Sequence, residues 1–317
     1  MFRKLLFTII TLFLLSSVSY AACPFTVGTA PGGGNTITCN TIAPNPDTNS
    51  IVVGNQSTNL GDELTVNANS GIDTAGVSNA VDLGLGDDIV TIDGPGSLVR
   101  GLRAITSGGA LNITINGGLL EGTNNNNVVV SSGGPNNLVD IVNMFGGRVI
   151  GTSDGFATGN GNDIINILGG SVETREPIDS GAGNDQITIR NASLIGTNNA
   201  IEASVGNDII TLGTGARIEG LISCSSGFDT LIFSMDVPEE TLALFSSEIA
   251  ASGLPDGSIT INGLFYEWRN CDLLVNQLNG VRNVRPIPTL SEWGLITMAG
   301  VLGIIGLLAI RRRKVTA

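Results

Sequence analysis

Gly159-Asn160-Gly161-Asn162-Asp163-Ile164-Ile165-Asn166-Ile167 is one copy of a pattern that recurs along the middle of the chain. The same order of glycine, acidic residue and alternating apolar residues occurs at 84–92 and 181–189, and in shorter form at 205–212 and 227–233. The residues at the acidic place of each copy, called anchors below, are Asp62, Asp88, Leu111, Asp140, Asp163, Asp185, Asp208 and Asp229. A period of about 23 residues indicates a repeat architecture.

Each copy contains three short apolar segments separated by turns. In the first segment, apolar residues lie two and four places after the anchor, as in Ile187 and Ile189, and this period of two is typical of a strand with one buried face. Glycine and asparagine turns precede a second segment, such as Leu194-Ile195, and a third, such as Ala200-Ile201. Three strands per copy predict one coil of a right-handed parallel β-helix, an all-β fold with about eight stacked coils.

Stacking of these coils makes a specific prediction about side-chain direction. Because Ile165, Ile187 and Ile210 share one offset from their anchors, we expect them to form a single inward ladder. The alternative fold is an antiparallel β-sandwich, but a sandwich does not usually keep the same turns and the same buried face at one period.

Three copies of the pattern also resemble a calcium-binding repeat. Gly-x-Gly-x-Asp-x-apolar at 84–90, 159–165 and 181–187 is similar to half of the RTX nonapeptide, and one coil per repeat resembles the passenger β-helices of autotransporters. The RTX resemblance implies a calcium ladder held by Asp88, Asp163, Asp185 and Asp208. RTX nonapeptides run back to back, whereas here a full coil separates them, which removes half of each ion cage. The alternative is that these aspartates are structural and cap turns through their own backbone.

Composition narrows the classes of function. Between the two ends of the chain there is no lysine, and nine arginines face 27 acidic residues, a net charge of about −18 that disfavours nucleic acid and anionic lipid. The chain has no histidine, the commonest general base and metal ligand. Four cysteines fit an oxidising compartment, and proximity favours the disulfides Cys23–Cys39 and Cys224–Cys271, with free buried thiols as the alternative.

The remaining segments give the order of the domains along the chain. Residues 1–21, with Arg3 and Lys4 before an apolar run, are typical of a secretory signal peptide. We expect an N-terminal cap at 22–60, the repeats at 61–233, a small α/β cap at 234–279 and a linker at 280–286. The C-terminal cap would consist of a helix at 238–250 and a hairpin around Asn262-Gly263.

The end of the chain resembles a sorting signal. An apolar run at 295–310 and four basic residues at 311–314 follow a motif formed by Ile287, Pro288, Thr289, Leu290, Trp293 and Gly294. This order resembles the IPTL-type C-terminal signal of Gram-negative envelope proteins, which an exosortase processes. The resemblance implies a transmembrane helix at 295–310, a cytoplasmic C-terminus and cleavage near the motif by a membrane transpeptidase. The alternative is a plain membrane anchor.

These features predict an exported, non-enzymatic envelope protein with a structural or adhesive role. We expect a precursor anchored in the inner membrane, then a product in the envelope, at the surface or in the extracellular matrix. The alternative is a β-helix that binds, cleaves or hydrolyses extracellular polysaccharide. The adjacent acidic pairs Asp62-Glu63, Asp87-Asp88 and Glu239-Glu240 lie in predicted turns or a helix start, so no catalytic residue is assigned. Tyr266 and Trp268 offer rings for a sugar, with a place in the core as the alternative.

Overall fold

The structure, a computed structural model, describes residues 23, 25–26, 28–40, 50–52, 60–131, 138–237, 256–278 and 283–286. Across these residues the chain winds as a parallel β-solenoid of about eight coils, and no α-helix occurs among them. The predicted parallel architecture is confirmed, while its right-handed winding stays a prediction. The predicted signal peptide, the helix at 238–250 and the tail at 287–317 lie outside the described residues.

Each complete coil contributes its first strand to one sheet and its second and third strands to another. The first sheet has 12 strands. In spatial order they are β1 Phe25–Thr26, β2 Thr36–Cys39, β4 Glu63–Asn67, β7 Asp88–Asp93, β10 Leu111–Ile115, β13 Ile141–Met144, β16 Ile164–Ile167, β19 Gln186–Ile189, β21 Ile209–Gly213, β23 Thr230–Ser234, β26 Leu273–Asn276 and β27 Asn283–Pro286.

The second sheet has 15 strands in two ladders joined by β20, which is long enough to supply both the second and the third strand of its coil. The second-strand ladder contains β5 Gly71–Asp73, β8 Leu98–Gly101, β11 Leu119–Gly122, β14 Arg148–Ile150 and β17 Gly170–Thr174. The third-strand ladder contains β3 Ile51–Val52, β6 Val81–Asp82, β9 Ile105–Ser107, β12 Val129–Ser131, β15 Asp154–Ala157 and β18 Glu176–Asp179. The last members are β20 Ala192–Glu202, β22 Arg217–Ser223, β24 Gly257–Ile261 and β25 Leu264–Arg269.

The predicted isoleucine ladder is present in the first sheet. Ile165 pairs in parallel with Ile187, and Ile187 pairs with Ile210. All three side chains are fully or almost fully buried. Branched side chains stacked at strand spacing cover one another from coil to coil, which keeps water from the interior.

An antiparallel strand and a disulfide close each end of the solenoid. At the start, β1 turns back antiparallel to β2, and a disulfide joins Cys23 to Cys39. At the far end, β27 lies antiparallel to β26, and a disulfide joins Cys224 to Cys271. Both disulfides join the pairs that proximity favours. Antiparallel end strands occupy the backbone groups that would otherwise pair with another chain.

The parallel ladder extends beyond the predicted limits of 61–233. Strand β2 already pairs in parallel with β4, and β26 pairs in parallel with β23. The segment predicted as a linker at 280–286 contains β27. The hairpin predicted around Asn262-Gly263 is formed by β24 and β25, with both turn residues at positive φ, and β25 continues the second sheet by pairing with β22.

No helix long and apolar enough to span a membrane occurs among the residues that the structure describes. The predicted transmembrane segment at 295–310 belongs to the undescribed tail, so it stays a prediction.

The isoleucine ladder leads to a stability prediction. Replacing Ile187 with Asp places an unpaired carboxyl in the apolar interior and is expected to lower the free energy of unfolding by about 3–5 kcal/mol. The matched control is Ile209→Asp, because Ile209 lies on the neighbouring strand β21 but is 43% exposed. That change is expected to alter stability by less than about 0.5 kcal/mol. Guanidinium unfolding measures both, and equal losses would contradict the assigned ladder.

Candidate functional site

Seven anchors form a line of buried carboxyl groups, called the aspartate column below: Asp62, Asp88, Asp140, Asp163, Asp185, Asp208 and Asp229. Each of these aspartates precedes or begins the first strand of its coil, and its Oδ1 atom accepts a hydrogen bond from a backbone N–H one coil earlier, which belongs to another anchor in every case except Asp62. The N–H of Asp163 donates to Asp185 at 2.8 Å, and the N–H of Asp185 donates to Asp208 at 2.8 Å. Each carboxyl therefore joins two coils. The structural alternative expected from the sequence differs, because there each aspartate forms its hydrogen bond within its own turn.

The column has one interruption and extends past its predicted ends. Where Leu111 replaces the aspartate, the N–H of Asp88 donates to the Ala110 carbonyl at 2.7 Å instead. The first residue in this line of hydrogen bonds is Asn35, whose N–H donates to Asp62. The last is Asp272, whose Oδ2 accepts the N–H of Asp229 at 3.0 Å. Asp272 was not predicted because 43 residues separate it from Asp229, although the buried Leu274 follows it at the same two-residue offset as the apolar residues after the other anchors.

The glycine and asparagine before each anchor have their own contacts with the neighbouring coil. At Gly183, where φ is +148°, an added Cβ would lie 1.4 Å from the Gly161 carbonyl oxygen, so no other residue fits without moving the backbone. The next residue, Asn184, donates its N–H to the side chain of Asn162 at 2.7 Å. The Gly-x-Asp part of the motif is thus explained by contacts between coils.

Burial perturbs the acidity of the column. The Oδ2 atoms of Asp140, Asp163, Asp185, Asp208 and Asp229 are buried and have no hydrogen-bond partner within the described part of the chain. Burial raises the pKa of Asp88, Asp140 and Asp208 to about 7 and the pKa of Asp185 and Asp229 to about 6, and it also raises the pKa of Asp163. A buried carboxylate oxygen without a donor is costly, and a proton on that oxygen removes the charge.

The environment of Asp185 shows which groups act on one member of the column. The carboxyls of Asp163 and Asp179 raise its pKa further, while the Asp163 amide lowers it. The Ser180 hydroxyl offsets part of the rise, but it donates to the Ala203 carbonyl at 3.3 Å and forms no hydrogen bond with Oδ2. Among the residues that the structure describes, no cationic group contributes to the shift in the pKa of Asp185.

The four aspartates predicted to hold calcium belong to this column. Asp88, Asp163, Asp185 and Asp208 are at most 1% exposed. One oxygen of each already accepts a backbone N–H. Calcium takes six to eight oxygen ligands in proteins, so this arrangement favours a structural role, and calcium at these four residues stays a prediction.

A separate acidic cluster has ligand oxygens close enough to share a cation. It consists of Asp154, Glu176 and Asp179, whose carboxyl oxygens lie within 4.8 Å of one another. Burial, followed by the neighbouring carboxyls, raises the pKa of Asp179 to about 6. The guanidinium of Arg175 lies 3.2 Å from Asp154 and 3.6 Å from Glu176, so the protein supplies its own positive charge here. The cluster was not predicted from the sequence because Asp154 lies one coil before Glu176 and Asp179.

The aromatic residues near the hairpin lie on opposite faces of β25. Tyr266 and Trp268 are buried, pack edge-on against Phe233, and the Tyr266 hydroxyl donates to the Ala216 carbonyl. Both residues belong to the core, which was the alternative to sugar binding expected from the sequence. Phe265, between Leu264 and Tyr266, is 57% exposed. Alternation along the strand could have indicated that Phe265 faces away from its neighbour, but the sequence does not show which face is buried.

Phe265 lines an open groove of about 630 Å³ on the second sheet. The walls come from the turn at 196–199 within β20, the outward side chains of β22 and those of β25. The groove contains two ion pairs, Arg217–Glu219 and Arg269–Glu267. The floor of the groove is low because Gly220, at the corner of β22, has no side chain. An added Cβ would come within 2.9 Å of the Gly196 carbonyl oxygen.

Comparison with known proteins concerns the end of the chain. Residues 285–313 match the IPTL-CTERM motif. The match begins at Arg285, inside β27, so the motif overlaps the end of the last strand of the solenoid. It indicates export and association with the cell envelope. No curated protein and no solved structure matches the chain.

The aspartate column predicts an unusual dependence of stability on pH. Because the folded-state pKa values lie above the ordinary value of 3.8, the folded chain binds more protons than the unfolded chain between about pH 4 and pH 7. The free energy of unfolding is therefore expected to fall as pH rises through that window. Asp185→Asn keeps an oxygen to accept the hydrogen bond from the Asp163 amide but cannot ionise. Between pH 4 and pH 8 its free energy of unfolding should therefore fall by roughly 3 kcal/mol less than that of the wild type.

The control for this prediction is Asp236→Asn. Asp236 is exposed, so this variant loses the same charge at the surface and not in the interior. Urea unfolding across the pH range measures wild type and both variants. If Asp185→Asn kept the wild-type slope, the buried carboxyl would not hold the additional proton.

Proposed function

We propose that the chain is an exported, non-enzymatic envelope protein whose rigid solenoid is presented outside the inner membrane and sorted through its C-terminal tag by an exosortase-type transpeptidase. The observation that carries the proposal is the IPTL-CTERM motif at 285–313, which begins within the last strand of the solenoid. A tag joined to the rod without a long linker holds the folded body next to the membrane until the tag is cut.

Three properties of the body support this assignment. The disulfides Cys23–Cys39 and Cys224–Cys271 fit an oxidising compartment outside the cytoplasm. The acidic composition gives a soluble surface that repels anionic membrane lipids. The buried ladders of side chains and the coil-to-coil hydrogen bonds make an extended object with long regular faces, which suits a structural or adhesive role.

A non-enzymatic role is supported by the chemistry of the described residues. The chain has no histidine. Asp62 and Asp88, one member each of two adjacent acidic pairs, are buried in the aspartate column, where their carboxyls accept backbone N–H groups.

The second candidate function, favoured by the groove beside Phe265, is binding to extracellular polysaccharide.

The proposed sorting predicts a shortened product. Mass spectrometry of the envelope form is expected to show a C-terminus near the motif, without the apolar run at 295–310. Pro288→Ala with Thr289→Ala should leave the full-length chain in the membrane, because membrane affinity lies in the apolar run and recognition lies in the motif. The control is Val315→Ala with Thr316→Ala, outside the matched residues, which should be processed normally. A wild-type product that ends at Ala317 in its final location would contradict processing.

A further inference from the structure

We propose that the groove lined by Phe265, Arg217, Glu219, Glu267 and Arg269 binds a segment of uncharged polysaccharide. This inference names a ligand for the displayed rod and takes its biological meaning from the proposed function. The groove lies on the outer face of the second sheet, where β22 and β25 run side by side with Leu221 paired to Glu267.

The exposed ring is the first element of the site. Phe265 presents more than half of its surface to solvent, while Tyr266 on one side of it is buried and Leu264 on the other is partly buried against the core. An apolar ring held on a rigid strand offers a flat surface to the apolar face of a sugar ring, and burying both faces from water stabilises the contact. The strand holds the ring in place, since Tyr266 and Trp268 next to it are anchored in the core.

The polar groups around the ring are the second element. Both nitrogens of the Arg217 guanidinium that face Glu219 donate to the same carboxylate oxygen, Oε1, one of them at 2.8 Å. Arg269 and Glu267 form a looser pair at 3.4 Å. All four side chains remain about half exposed, so they retain donors and acceptors for a ligand. Neighbouring sugar hydroxyls, each both donor and acceptor, fit paired guanidinium and carboxylate groups.

The balance of charge decides between neutral and acidic ligands. Each arginine in the groove is matched by a glutamate on the same strand, so the lining has no net charge from these four residues. The rest of the body is strongly acidic and repels a polyanion. An uncharged polysaccharide meets no such repulsion, and the groove volume of about 630 Å³ is within the range of known small-molecule sites.

The groove shape is the third element, and it depends on one corner of the solenoid. In β20 the turn 196–199 projects, and the register with β22 shifts on either side of Asn199. In β22 the same corner is formed by Gly220 at φ +121°. The corner of β20 projects further than the corner of β22 beside it, and this difference leaves a depression between the two coils. Asn198, held by a 2.7 Å hydrogen bond to Glu176, forms part of the rim.

The binding test uses the full-length chain purified in detergent. Isothermal titration with cellohexaose and with dextran fragments tests neutral ligands, and polygalacturonate tests an acidic one. Binding to at least one neutral saccharide is expected, and Phe265→Ala should weaken it by about tenfold or more, while Phe265→Trp should restore it. The matched control is Phe145→Ala, because Phe145 is 54% exposed and lies outside the groove lining. A second variant, Arg217→Gln, should also weaken binding.

Three results would overturn the inference. They are no binding to any neutral saccharide, binding to polygalacturonate alone, and equal effects of Phe265→Ala and Phe145→Ala. Because the titration does not involve the tag, a chain that is processed normally yet binds no neutral saccharide contradicts the groove assignment only. A chain that binds but is never processed contradicts the sorting proposal only.

Discussion

The hydrogen bond from an anchor's backbone N–H to the carboxyl of the anchor in the next coil is the interaction on which the rest of the solenoid depends. A buried backbone N–H must find an acceptor, and at the corner before the first strand the inward carboxyl supplies it. This bond sets the height of one coil above another, and the parallel register of the following strands agrees with it. At Leu111 the carboxyl is missing, and a backbone carbonyl takes its place.

The same contact limits what the corner can contain. Coils approach so closely that Gly183 has no space for a side chain, and a carboxyl oxygen such as Oδ2 of Asp185 has no hydrogen-bond donor. The interior therefore combines apolar ladders with a line of carboxyl groups whose raised pKa values favour protonation in mildly acidic surroundings. The outer faces are free to vary, and there the groove beside Phe265 arises from one large and one small corner. Under the proposed function, the rod is a rigid support, and its surface and its tag carry the activity.

The sequence predicted the repeat because its period is carried by side chains that alternate with strand geometry. Ile165, Ile187 and Ile210 could be placed in one ladder from their common offset alone. The acceptor role of the aspartates could not be predicted, because a motif read along the chain does not show whether a carboxyl bonds to its own turn or to the next coil. Asp272 was missed because the β24–β25 hairpin lies between it and the preceding repeat. For Phe265, the exposed face depends on how β25 packs against β22, which local alternation does not reveal.

Scalar coupling across hydrogen bonds tests the column most directly. In an NMR experiment that correlates an amide nitrogen with the carbonyl or carboxyl carbon of its acceptor, the Asp163 amide should correlate with the side-chain carboxyl carbon of Asp185. The Asp185 amide should likewise correlate with the side-chain carboxyl carbon of Asp208. The Asp88 amide should correlate with the backbone carbonyl carbon of Ala110. Correlations from the Asp163 and Asp185 amides to backbone carbonyl carbons, in place of the carboxyl carbons, would contradict the account.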